Sequence, residues 1–115
     1  MLEPFAKAKE FAETTGAVRI PPFDHPDIIA GQGTVGLEIL EQQPDVRTVI
    51  VPIGGGGLIA GVASAMKQQA AKLGHSIRII GVQAENAAPY PQSLKEGHPI
   101  EIQVKPTISD GIAVG

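Results

Sequence analysis

Apolar residues recur along this chain with two alternating periods, and the switches between them outline its elements. Phe5, Ala8, Phe11 and Ala12 share one side of a helix predicted over 4–15, with Pro4 in its first turn and Gly16 to end it. Lys7, Lys9, Glu10 and Glu13 form the wet face of that helix. Residues 17–20 suit a short strand, closed by Pro21-Pro22, which cannot continue a central ladder. Ile28, Ile29, Val35, Leu37, Ile39 and Leu40 predict a second helix over 28–43. Gly31, Gly33 and Gly36 weaken its first half, so either it lies unusually close to another backbone or it breaks near 31–34 and restarts with Thr34 as cap.

From 48 to 53 the apolar run is unbroken instead of alternating, the mark of a strand buried on both faces. After four consecutive glycines, Leu58, Ile59, Val62, Ala63, Met66, Ala70 and Leu73 return to helical spacing, and Gly74 terminates them. Residues 77–82 form a second apolar strand. A shorter helix is predicted over 87–96, closed by Gly97, and Ile100, Ile102 and Val104 alternate with polar residues in a tail predicted to be extended. Helices alternating with strands predict an α/β architecture: a parallel sheet with helices on both faces and right-handed crossovers.

Composition narrows the function classes. A chain of 115 residues is one ordinary domain or part of a larger one, and with aromatics at only 3% its packing must be aliphatic. A net charge of −3 with dispersed basic residues predicts no nucleic-acid partner and no anionic membrane surface. No 18-residue apolar run or export signal is visible, so the expected location is cytoplasmic. The absence of cysteine excludes disulfides and thiol chemistry, and His25, His75 and His98 are too scattered for a local metal motif. Asp24-His25-Pro26-Asp27 looks like an acid/base cluster, but carboxylates flanking a proline just before a helix are read as caps.

The candidate chemistry lies at Gly54, Gly55, Gly56 and Gly57. Residues without Cβ let a ligand sit against bare backbone, and the helix that follows adds unpaired N–H groups and its positive dipole end. The ligand this favours is a phosphate, at the carboxyl end of a parallel strand where such sheets bind ligands. A linker would need polar spacer residues. Gly55, Gly57 and Ala60 also satisfy the loose G-x-G-x-x-A dinucleotide pattern, although the next strand ends in Gln83, with Glu85 two further on, instead of an acidic residue. No Gly-Lys-Ser/Thr follows, as a P-loop requires.

Three stretches together carry a resemblance: residues 22–34 (Pro-Phe-Asp-His-Pro-Asp-Ile-Ile-Ala-Gly-Gln-Gly-Thr), residues 51–61 around the glycines, and Thr107-Ile108-Ser109-Asp110-Gly111. In this combination, with Ile79-Ile80-Gly81-Val82-Gln83 and the following Glu85-Asn86, the chain resembles the threonine dehydratase and serine racemase group of fold-type-II, tryptophan-synthase-β-like pyridoxal-phosphate enzymes. The resemblance covers nearly the whole chain, yet the family's catalytic region is much longer, so residues 1–115 are expected to be a single α/β segment from the middle of one. It implies a pyridoxal 5'-phosphate cofactor whose phosphate meets the backbone of Gly54, Gly55, Gly56, Gly57 and Leu58. It also implies that Gly111 lies against the pyridine ring and that Phe23 borders the cofactor or serves as a core aromatic. Gln32, Thr34 and Asp110 are expected to fix backbone geometry.

The resemblance further implies that the parent eliminates water from L-threonine, and from L-serine, giving 2-oxobutanoate or pyruvate and ammonia, and that it assembles as a homodimer or homotetramer. The family's Schiff-base lysine sits in a Ser-x-Lys-x-Arg-Gly pattern that none of Lys7, Lys9, Lys67, Lys72, Lys95 and Lys105 matches. The segment alone is therefore expected to supply no catalytic residue and to be inactive. Serine racemases hold a divalent cation through an acidic residue where this chain has Gln83, so no metal is expected. The alternative of another class is a non-catalytic phosphate- or dinucleotide-binding module.

Overall fold

The computed structural model of the chain describes residues 2–115. Its centre is a two-stranded parallel sheet with its crossover helix packed on it and a second helix packed on that one. In chain order the elements are α1 (Leu2–Thr15), α2 (Pro26–Gln42), β1 (Thr48–Pro52), α3 (Gly57–Lys72), β2 (Arg78–Val82) and α4 (Tyr90–Glu96). Single 3-10 turns at Glu85–Ala87 and Asp110–Ile112 complete them. β1 and β2 pair in parallel, with Val49 opposite Ile79 and Val51 opposite Gly81, and α3 is the crossover between them. This is the α/β class that the periodicity predicts, with α3 bearing on the sheet through Val62, Met66 and Ala70 against Val51 and Ile77. Met66 and Val62 are fully buried, and each such side chain contributes about 1.5–3 kcal/mol through removal from water.

Two of the three glycines of α2, Gly33 and Gly36, are explained by proximity; Gly31 meets open space. The helix runs unbroken through all three, so of the two alternatives the close approach holds and the restart at Thr34 does not. A Cβ on Gly36 would lie 2.8 Å from Met66 Cγ and 3.1 Å from the Val62 carbonyl, and one on Gly33 would lie 3.3 Å from the carbonyl of Gly61. Gly61 answers from α3: a Cβ there would run into the Ile29 carbonyl and sit 2.7 Å from the Gly33 nitrogen. Two helices in near backbone contact make a rigid pair, because nothing flexible separates them.

Several expectations are corrected. Residues 17–20 form no strand: Val18 and Ile20 are 88% and 74% exposed, since Pro21-Pro22 follows at once and no sheet edge lies alongside. The helix predicted over 87–96 is divided into the 3-10 turn and α4, because Ala88 precedes Pro89 and is held at φ −122°, ψ 73°, outside the helical region. β1 is not buried on both faces. Val51 is buried against α3, whereas Ile50 on the opposite face is 66% exposed, for no described element of this chain covers that side. The tail predicted to be an extended edge segment joins no ladder; the N–H of Lys105 donates to the carbonyl of Asn86 at 2.9 Å instead. No described helix is long and apolar enough to cross a membrane.

Candidate functional site

β1 and α3 are joined by residues 53–56, and the join is where backbone donors are left over. The N–H of Ile53 continues the ladder by donating to the carbonyl of Val82 at 2.8 Å. Among the described residues, the N–H groups of Gly54, Gly55, Gly56, Gly57 and Leu58 find no acceptor in this chain. A helix start leaves such donors unpaired as a matter of geometry, and α3, with no acidic residue in its first turn, adds the undiminished positive end of its dipole. Gly56 caps it in the left-handed region, at φ 95°, without a side-chain cap. That conformation costs a residue with a Cβ about 1–2 kcal/mol, which accounts for a glycine here better than the general freedom of a loop does.

Two distant segments close over this loop. Phe23 crosses it at short range: a Cβ on Gly55 would overlap the Phe23 ring, and one on Gly57 would lie 2.7 Å from the Phe23 carbonyl. Phe5 of α1 meets the same ring edge to face, with centroids 6.3 Å apart. From the other end, the 3-10 turn at Asp110–Ile112 stacks on Gly54, with the Ile112 Cα 3.3 Å from where a Gly54 Cβ would be. The turn is delivered by Asn86, whose Nδ2 donates to the Pro106 carbonyl at 2.6 Å, and by the Ser109 N–H, which donates to Thr107 Oγ1 at 3.1 Å.

The result is a cavity of about 320 Å³ lined by Pro22, Phe23, Gln32, Pro52, Gly54, Gly55, Gly56, Gly57, Leu58, Gly111 and Ile112. All seven cofactor-site candidates of the sequence line it. No lining side chain is charged, so an anion entering would meet only amides and a dipole; this suits a phosphate, which neutral donors hold well. Gly111 faces free space, with nothing within 4 Å of a Cβ built on it. Unpaired backbone donors beside the open space at Gly111 fit a phosphate joined to a flat ring, and the residues present therefore fit pyridoxal phosphate. A wider cleft of about 1030 Å³ lies beyond Phe23, bounded by Phe5 and residues 101–107, but the unpaired amides do not border it.

Most of the remaining sequence candidates resolve as structural groups. His25 is the N-cap of α2, its Nδ1 accepting from the Asp27 N–H at 3.1 Å with Pro26 following. Thr34 Oγ1 donates to the Gly31 carbonyl at 2.9 Å. Gln32 reaches the cavity wall, which the sequence did not indicate. Gln83 stands directly after β2, where its Oε1 accepts from the Tyr90 N–H at 3.1 Å; its Nε2 is buried without a partner among the described residues. Tyr90 is the residue that sequence reasoning missed. Its hydroxyl donates to the Gly55 carbonyl at 3.1 Å, a contact spanning 35 positions that no local pattern could reveal.

Known proteins share this sequence and fold. The chain is 48% identical over 112 residues to the L-threonine ammonia-lyase of Thermotoga maritima, covering 97% of this chain and 27% of the relative. It is 49% identical over 109 residues to the catabolic L-threonine dehydratase TdcB of Escherichia coli K12, covering 95% of this chain and 32% of that protein. The processed form of threonine deaminase isoform 2 from Solanum lycopersicum superposes with a TM-score of 0.83 at 48% identity, over 91% of this chain and 29% of that structure. The chain thus spans about a third or less of the relatives it matches. The sequence model of the family described as pyridoxal-phosphate dependent enzyme matches residues 2–115, and with the glycine loop, the α3 start and the overlying turn in place, the chain belongs to that family.

Proposed function

We propose that residues 1–115 are one segment of the catalytic domain of a threonine dehydratase. Its reaction takes L-threonine, and also L-serine, to 2-oxobutanoate or pyruvate with release of ammonia. The observation that carries the cofactor-binding part is the set of unpaired amides at residues 54–58, beside the open wall at Gly111. The substrate assignment is supported by relatives named for threonine at 48% and 49% identity.

In this reading the N–H groups of Gly54, Gly55, Gly56, Gly57 and Leu58 hold the cofactor phosphate, and Gly111 leaves room for the pyridine ring. Phe23 covers the loop and keeps water from the amides, which strengthens each of the bonds they make. When bound, the cofactor serves as electron sink for charge developing at the substrate Cα. All six lysines of this chain are exposed and none borders the cavity, so the covalent anchor for the cofactor comes from elsewhere in the complete polypeptide. Assembly as a homodimer or homotetramer and a cytoplasmic location complete the proposal, with the role in either isoleucine synthesis or threonine breakdown.

The test is an assay of the complete polypeptide with threonine. Formation of 2-oxobutanoate is the expected result; cofactor bound without any 2-oxobutanoate would sink the substrate assignment. A dinucleotide module is disfavoured because the residue after β2 is Gln83, whose acceptor oxygen is already engaged by Tyr90. Tighter binding of NAD than of pyridoxal phosphate would reverse that choice.

A further inference from the structure

The loop that offers its amides to the phosphate is itself held from behind, and by a single side chain. Tyr90 opens α4, half-buried, with its hydroxyl 3.1 Å from the carbonyl oxygen of Gly55. Gly55 C=O and Gly56 N–H belong to the same peptide unit, and no peptide bond among the described residues is cis. In a trans unit the carbonyl and the N–H point in opposite directions across one plane. A donor gripping the carbonyl therefore sets the direction of the N–H on the far side. The cavity is lined by the glycines and not by Tyr90, so the ring stands outside the loop while the ligand would stand inside.

Resting on the phosphate-loop reading above, we propose that Tyr90 is a positioning residue for the cofactor phosphate. Its hydroxyl orients the Gly55–Gly56 peptide and polarises the Gly56 N–H toward the anion. Two independent observations converge on this. The left-handed Gly56 has its missing side chain replaced by the Tyr90 hydroxyl, since a Cβ built there would overlap it. The Tyr90 backbone is in turn anchored by Gln83 Oε1 at the end of β2, so the sheet, α4 and the loop form one chain of hydrogen bonds. A bond accepted by the carbonyl strengthens the bond its own N–H can donate, by roughly 10–30% in condensed phase. Pinning the plane also removes loop freedom that binding would otherwise have to remove.

The experiment compares pyridoxal phosphate with pyridoxal, which lacks the phosphate, in equilibrium binding to the cofactor-free complete polypeptide. Tyr90→Phe keeps the ring and deletes the hydroxyl. The affinity for pyridoxal phosphate falls about three- to tenfold, the effect of one neutral hydrogen bond, while the affinity for pyridoxal stays within experimental error. Gln83→Met, which releases the start of α4, moves the same ratio in the same direction and serves if Tyr90→Phe folds poorly. An equal loss for both ligands assigns Tyr90 a merely structural role and overturns the proposal, as does no change for either. If the unaltered protein does not prefer pyridoxal phosphate over pyridoxal, the phosphate-loop reading itself fails, and this inference with it.

Discussion

Replacing Gly61 by alanine tests the claim that α2 and α3 are in backbone contact. The added methyl would lie 2.7 Å from the Gly33 nitrogen and 2.9 Å from Gln32 Cβ, and closer still to the Ile29 carbonyl. Two of these three neighbours are main chain, which no rotamer change can move aside. The helices must part by something on the order of 1 Å, and the dispersion contacts around Met66 weaken with them. Overpacking of this kind costs about 1–3 kcal/mol, against which the helix preference of alanine over glycine returns about 1. Gly31→Ala is the matched control, on α2, with nothing within 4 Å of its Cβ. It should stabilise by about 0.5–1 kcal/mol through helix preference alone. Urea unfolding followed by far-UV circular dichroism should then move the two midpoints in opposite directions at an unchanged m-value. If Gly61→Ala proves as stable as Gly31→Ala, the close helix contact is wrong, and with it the account of why α2 contains glycines.

Gly111→Ala should leave unfolding within about 0.5 kcal/mol of the original, because its Cβ meets open space. It should nevertheless weaken pyridoxal phosphate binding at least tenfold; an unchanged dissociation constant would remove Gly111 from the ring site. Gly56→Ala should lower stability by about 1–2 kcal/mol from left-handed strain, and more where the methyl displaces the Tyr90 hydroxyl, as a thermal-unfolding comparison in the Tyr90→Phe background would show by a smaller loss. His25→Ala removes the cap of α2 and should cost about 1 kcal/mol, whereas a His25→Asn variant, whose Oδ1 can accept in place of Nδ1, should recover most of it. A large fall in threonine turnover at full cofactor occupancy in His25→Asn would instead point to a chemical role for that side chain.

Much of this molecule was legible in order along the chain. The apolar runs at 48–53 and 77–82 and the helical spacing from Leu58 to Leu73 identified β1, β2 and α3, although the unbroken run at 48–53 overstated how much of β1 is buried. The glycine loop was legible as well. A run of residues without Cβ between a strand and a helix has few other uses, and its unpaired amides follow from where a helix starts.

What stayed hidden depended on pairs of residues far apart. The strand expected at 17–20 had suitable residues but no partner edge, and a strand is defined by its neighbour as much as by its own side chains. Whether Gly31, Gly33 and Gly36 meant a broken helix or a tight crossing was undecidable locally, since both alternatives tolerate glycine equally; only the approach of α3 to Gly33 and Gly36 selected the crossing. The sequence by itself determined which backbone donors would be unpaired and what kind of anion they suit. Tertiary structure decided what surrounds them: Phe23 above the loop, Gly111 across the cavity, and Tyr90 behind the peptide whose N–H it orients. Periodicity records only whether a position is buried, whereas a hydrogen bond between residues 55 and 90 exists only after the chain between them has folded back.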